Sequence, residues 1–422
     1  MTSHKVTELR NYVRQSSVPS RWHAATEQIQ SERTRIFAAM EQDSSLRTYG
    51  FNTMLGPNDN KALTASEQES LLAGHLIGSP QEVSQLEARA ILGSKIIQLA
   101  NGGTGVSPAA FSHILQQAEG CELPLEIDLL ASYGSGDVVP GAWWVRATFG
   151  TGYSWQPGDV ISLINGSFVS CAYSFLLLES YLHALTRFLN LTRHVFRRPT
   201  ELAPMNGIDH ALSSLYLERP AWDNPPQLPV SARDVFPVLH SATSALRDLF
   251  SVLEVSYSRP SGNPLFELHD GSVHARSQSS FLNLRLASTL AQINSAVSQL
   301  AGATQRAVEI VSGTLRADSE SPVSAHVSLC AVQWPKVAEA YRLHLTGGTP
   351  LDFTGSMSGG VEDMWDLTLS TSLICRDRVA VFQRQLNVLE ACVTAAVPEY
   401  TPALSANHLW SLVESDALAP VQ

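Results

Sequence analysis

Apolar residues along this chain recur mostly at helical intervals. In Phe281–Leu315 and Leu367–Val397 they return at i, i+3, i+4 and i+7, which lines one face of a helix. Phe168–Leu191 is apolar nearly throughout and predicts a helix buried on all sides. Phe236–Val255 predicts another, ending before Pro260. Ala65–Leu99 carries the same period, and the first forty or so residues read as polar helix. Period-two alternation is scarce and there is no internal repeat. The predicted class is all-α, with long helices packed side by side.

Breaks in the pattern set the organisation. Thr48–Asn60 is rich in Gly, Pro and Asn and predicts a loop. Asn101–Gly105 predicts a sharp turn. Ser107 and Pro108 then open a helix as N-cap and first helical residue. Leu129–Gly141 is small-residued and poor in helix formers, so it predicts a loop between helices. Arg198–Pro229 is Pro-rich and irregular. Three parts follow: 1–195, with loops at 48–56 and 130–141; 196–235, irregular; and 236–422, a long-helix bundle.

Composition narrows the function. Hydrophobic residues make up 44%, enough for a large core. Charged residues make up 16%, against about 25% in an average domain, which leaves room for a buried subunit interface. The net charge of −11 argues against a nucleic-acid partner, because phosphate neutralisation needs clustered Lys and Arg. Five scattered cysteines without a CxxC spacing predict neither a zinc site nor a disulfide framework. The N-terminal MTSHKVTELRNYVRQ lacks the apolar core of a signal peptide. Val160–Leu178 is interrupted by Asn165 and serines, so it reads as a buried helix and not a membrane span. The expected compartment is the cytoplasm.

Generic motifs add little. There is no Walker A loop and no HExxH. Asn101–Gly105 does not follow a strand, so it is no dinucleotide fingerprint. His269 and His274 read as a surface pair and not as a metal site. Ser135 lacks the outer glycine of a nucleophile elbow.

Seven segments in order are more specific. They are Tyr49-Gly50-Phe51-Asn52-Thr53 with Gly56; Arg89-Ala90, Leu92, Lys95, Leu99 and Gly102–Val106; and Gly134-Ser135-Gly136-Asp137-Val138-Val139-Pro140. Then come Leu163-Ile164-Asn165-Gly166-Ser167, Gln227–Arg233, Ser261-Gly262-Asn263-Pro264 and Gly360-Val361-Glu362-Asp363. Together they resemble the aromatic amino-acid and histidine ammonia-lyase family, whose motifs read YGxNTxFG, RAxLxxRxNxLxxGxSGV, ASGDLAP, LxNGT, QDPYSLR, SDNP and NQED. Lys95 stands for the family's Arg, and Gly134 for its Ala.

The resemblance implies the all-α, fumarase/aspartase-like long-helix fold and a homotetramer with shared active sites. It implies methylidene-imidazolone (MIO), a self-made electrophile formed from Gly134, Ser135 and Gly136, with no metal or nucleotide. An electrophile that binds the substrate covalently eases removal of a poor leaving group from a weakly acidic β-carbon. Glycine at 136 lets its nitrogen approach closely, while position 134 supplies a carbonyl and tolerates Gly. By the same resemblance Tyr49 is the base, and a phenol must have its pKa lowered to serve at neutral pH. Arg233 holds the substrate carboxylate. Asn165 hydrogen-bonds the MIO and the substrate. Gln227 and Glu362 line the site near the amine. His75-Leu76 resembles the dipeptide of tyrosine-using members, and a shift of one residue aligns His75 as in the histidine-using ones.

Departures from the family pattern bear on the substrate. Val230 replaces a second Tyr, Arg276–Ser280 replaces the GGNFH segment, and Met364 replaces the His after NQED. The chain is also shorter than typical members. These features suit a specialised biosynthetic enzyme. The expected function is MIO-dependent elimination of ammonia from a free or carrier-bound aromatic L-α-amino acid, tyrosine first, giving an arylacrylate. A 2,3-aminomutase with the same residues is the alternative, and a repurposed fold without MIO is the competing class.

Overall fold

The computed structural model describes residues 4–417 apart from 16, 44–45, 55–60, 65–66, 121–124, 133, 200–206, 219–229, 270–271, 318–324, 348–353 and 358–361. The chain is mostly helical, with three two-stranded antiparallel ribbons among the described residues. It gathers into two compact units. One comprises Met1–Leu176, Val252–Ala287 and Pro350–Ser372; the other comprises Leu177–Ser251, Ser288–Thr349 and Leu373–Gln422.

The first unit opens with α1 (Lys5–Gln15) and α2 (Ser20–Gln42). Tyr12 and Trp22 meet edge to face at 5.0 Å and are both buried. The stretch 65–99 is not one helix. It forms α3 (Gln68–Ala73), strand β1 (Gln81–Glu82) and α4 (Gln85–Ala100). Gly74, Gly78 and Pro80 end the first helical run. Ser84 starts α4 with a capping box: its Oγ accepts the Glu87 N–H at 3.3 Å and Glu87 accepts the Ser84 N–H at 2.9 Å. Ser107 caps α5 (Pro108–Glu119) as its sequence predicts. Strand β2 (Glu126–Ile127) pairs with β1 and leads to α6 (Val138–Phe149).

Val160–Leu178 is also divided. Asn165 and Gly166 separate α7 (Asp159–Ile164) from α8 (Phe168–Thr192), because the chain turns there to reach the loop before α6. Asp159–Thr192 is apolar enough to cross a membrane, but 94% of its most apolar window is buried within the protein. Ile91, Leu92, Ile96, Phe111, Ile114, Val160, Leu163 and Phe168 form the core of this unit. Each fully buried aliphatic or Phe side chain contributes about 1.5–3 kcal/mol, so the core holds the neighbouring turns in place. A hairpin of β3 (Leu265–His269) and β4 (Ser272–Arg276) was not legible in the sequence, since within it only Phe266 is buried.

The second unit takes residues from four long helices: α8, α11 (Phe236–Tyr257), α12 (Leu284–Ala317) and α14 (Thr368–Ala396). Their positions match the periodic segments. At 34 residues α12 spans about 50 Å. Leu185, Phe188, Leu246, Leu249, Leu300 and Leu386 are wholly buried in this unit. Shorter helices complete it: α9 (Gly207–Ser213), α10 (Val230–Arg233), α13 (Ala325–Leu343) and α15 (Ala406–Ala417). Trp410 of α15 packs edge to face on Phe250 at 5.4 Å.

Candidate active site

The tripeptide Gly134–Ser135–Gly136 lies in the first unit, in the loop before α6. Both carbonyls flanking Ser135 are held by backbone donors. The Asp366 N–H donates to the Gly134 oxygen at 3.3 Å, and the Gly166 N–H to the Gly136 oxygen at 3.1 Å. Both glycines have positive φ, +88° and +91°. At Gly134 a Cβ would lie 2.4 Å from Asp366 Oδ1 and 2.6 Å from the Leu367 nitrogen. Glycine is therefore required at 134 in this conformation and not merely tolerated, which corrects the sequence expectation.

Asp137 follows, wholly buried and left-handed at φ 48°. Its carboxylate accepts the Ser170 N–H at 2.8 Å and the Ser170 and Ser132 hydroxyls at 2.7 and 3.1 Å. Ser132 in turn accepts the Gly134 N–H at 3.2 Å. Burial above all, with Asp366 adding, pushes the Asp137 carboxyl up to about 6 against the bonds from Ser170 and Ser132.

Asn165 lies against Gly136, where a Cβ would meet its Oδ1 at 3.3 Å. That buried Oδ1 has no hydrogen-bond partner. The Asn165 main-chain oxygen is fixed by Lys95 Nζ at 3.0 Å and Gln98 Nε2 at 3.3 Å. Lys95 also donates to Gln98 Oε1 at 3.0 Å and the Ser162 oxygen at 2.8 Å, and stands 4.5 Å over the Phe168 ring. Complete burial holds its ammonium well below the usual lysine range, with Asp137 acting the other way.

Tyr49 sits in a turn pinned by Phe51, which is buried edge to face on Phe266 at 4.9 Å. The Gly50 N–H donates to the Thr53 oxygen at 2.7 Å, closing the turn. The Tyr49 hydroxyl is buried and unpartnered; Ser277 faces it without completing a hydrogen bond. The expected lowering of this phenol is not found. Burial pushes it above its ordinary value, with Ser277 opposing. Hydrogen bonds link the Ser277 segment to Asn165: Gln278 donates to the Gly262 oxygen, and Gln98 donates to the oxygens of Ser261 and Asn165.

His75 follows α3 and is half-buried, as is Leu76. Its Nδ1 lies 2.7 Å from the Leu71 carbonyl oxygen. A carbonyl only accepts, so Nδ1 is the donor in this contact. Glu362 is in strand β6 (Glu362–Met364), which pairs with β5 (Thr354–Met357). Its side chain lies outside the described residues, as does all of Gln227. Arg233 ends α10 in the second unit and is exposed. Its neighbour Asp234 accepts the Phe236 N–H at 2.9 Å, at the start of α11. Sequence reasoning missed Ser132, Ser170, Gln98, Ser277 and Asp366. Only Asp366 carried a signal, as an acidic residue just before an apolar helix. Among the described residues no group of three His, Cys, Asp or Glu side chains is placed to hold a metal.

Residues 5–163 match the model of a family described as aromatic amino acid lyase. No curated protein matches by sequence. The fold resembles tyrosine aminomutase from Streptomyces globisporus at a TM-score of 0.75 and 16% identity, covering 98% of this chain and 95% of that one. Phenylalanine aminomutase from Pantoea agglomerans gives 0.72 and 13%, over 97% and 92%. Histidine ammonia-lyase from Trypanosoma cruzi gives 0.71 and 15%, over 98% and 87%. Residues 5–163 thus resemble the aromatic amino acid lyase family, and the fold across nearly the whole chain is like that of ammonia-lyases and aminomutases.

That family is MIO-dependent in general. The residues here fit the group. The tripeptide has its middle serine, both flanking carbonyls are gripped, and an orphaned Asn165 oxygen stands against Gly136.

Proposed function

We propose that this chain is an MIO-dependent carbon–nitrogen lyase acting on an aromatic L-α-amino acid, with tyrosine its first substrate. The observation that carries the reading is the Gly134–Ser135–Gly136 loop, held at both carbonyls beside the unpartnered Asn165 Oδ1. When formed, MIO supplies an electrophile strong enough to engage the substrate. Asn165 would hold that group and the substrate beside it. Tyr49 would take the β-proton. Burial raises the Tyr49 phenol, so to serve as base it would need a positive group brought beside it when substrate binds. His75 Nε2 would accept the phenolic O–H of tyrosine, which phenylalanine lacks. Arg233 would bind the carboxylate, and Gln227 and Glu362 would line the amine side.

The same reading makes the protein a cytoplasmic homotetramer with shared sites. Exposed Leu329, Val332, Val337 and Leu343 give α13 apolar surface to bury. The departures Val230 and Met364 and the Arg276–Ser280 segment favour a biosynthetic substrate, free or carrier-bound.

Peptide mass mapping over residues 125–145 tests the proposal. The wild type loses two waters there and the Ser135→Ala variant does not. An unmodified wild-type loop in folded protein would rule the reading out and leave a repurposed fold. Product analysis then separates the two outcomes of the chemistry: free ammonia with p-coumarate, or a β-amino acid from a 2,3-aminomutase.

A further inference from the structure

We propose that Asp366 is the positioning residue for closure of the Gly134–Ser135–Gly136 ring, and that it makes glycine obligatory at 134. The inference rests on the MIO reading above. Asp366 is buried just before α14, and its side chain is fixed at both oxygens. Oδ1 accepts the Thr368 N–H at 2.9 Å and Oδ2 accepts the Asn283 N–H at 2.6 Å. It thereby joins the starts of α12 and α14 and cannot swing aside.

Two consequences reach the tripeptide. The fixed carboxylate and the next backbone nitrogen occupy the volume a methyl group at 134 would need, at 2.4 and 2.6 Å. The Asp366 N–H points at the Gly134 oxygen from 3.3 Å. Ring closure joins the Gly136 nitrogen to the Gly134 carbonyl carbon. The Gly134 oxygen leaves as water with the protons of the Gly136 and Ser135 amides. The Ser135 hydroxyl leaves as a second water with the Ser135 Cα proton. No oxidant or reductant is needed. A donor fixed on the Gly134 oxygen polarises the carbon that is attacked and stabilises the charge that grows on that oxygen. The Ala found at this position in the family motif is thus replaced as part of a matched pair, Gly134 with Asp366.

The test follows the two-water deficit of peptide 125–145 in folded protein sampled at intervals after synthesis, for wild type, Gly134→Ala, Asp366→Ala and Asp366→Asn. Circular dichroism defines the folded fraction. The expected result is full dehydration of wild type, none in Gly134→Ala, and at least tenfold slower dehydration in Asp366→Ala. Asp366→Asn, which keeps an acceptor for Thr368, falls between. If Asp366→Ala does not fold, the other two variants decide. Dehydration of folded Gly134→Ala or Asp366→Asn at the wild-type rate overturns the proposal while leaving the MIO reading intact, because a merely structural Asp366 changes yield and not rate. An undehydrated wild type overturns both.

Discussion

Two glycine-rich turns of the first unit each lead into a helix, yet they are finished differently. In the turn 102–107 before α5, Glu32 accepts the N–H groups of Gly103 and Gly105 at 2.8 and 3.1 Å. Arg33 donates to the oxygens of Gly105 and Pro157 and stands 3.7 Å from Asp159. Asp159 accepts the Ser107 N–H and hydroxyl at 2.8 and 2.9 Å. The turn 132–137 before α6 also centres on a buried aspartate, but among the described residues serine hydroxyls and one N–H serve it and no guanidinium does. Its surroundings include the unpartnered Asn165 Oδ1, and the Tyr49 hydroxyl elsewhere in the unit is unpartnered too. Native proteins rarely leave buried polar atoms unpaired, and functional sites are among the places where the rule is broken. The first turn is scaffold. On the proposed reading, the second would be completed by ring closure of the tripeptide.

The contrast breaks most visibly at Tyr49. Tyr49→Phe is expected to lower kcat about 10²–10⁴-fold, the usual contribution of a general base. Its thermal midpoint should hold, because the lost hydroxyl has no partner. A matching fall in midpoint would make Tyr49 part of the scaffold. Asp159→Ala should do the reverse. It leaves the buried Arg33 without its carboxylate partner and costs about 3–5 kcal/mol in a urea titration. A loss under 1 kcal/mol would refute the scaffold role.

Asp137 sharpens the comparison through pH. Its carboxyl is raised from 3.8 to about 6. Between those values the folded protein holds a proton that the unfolded chain has released. Stability from this group is therefore full below about pH 4 and is lost as pH rises through 6, by about 3 kcal/mol. Asp137→Asn should flatten that part of the stability profile, and an unchanged slope would count against the buried acid. The smallest effect belongs to His75. His75→Phe should reduce the preference for tyrosine over phenylalanine in kcat/KM by about three- to tenfold, one net hydrogen bond. An unaltered ratio would move the selectivity elsewhere.

Local pattern made a large part of this protein legible. Helical periodicity located α8, α11, α12 and α14, and the Ser107–Pro108 pair located the start of α5, because these signals act within a few residues of chain. Seven ordered motifs named the tripeptide, Tyr49 and Asn165. What escaped were features that exist only when distant segments meet. The break at Asn165–Gly166 depends on Lys95 and Gln98, about 70 residues away. The rise in the Asp137 and Tyr49 pKa values is burial, which composition does not reveal. Gly134 read as a loosened copy of a family alanine, since a sequence shows a residue and not the space around it. Only the folded chain brings Asp366 against it, 232 positions along, and turns that glycine into a requirement.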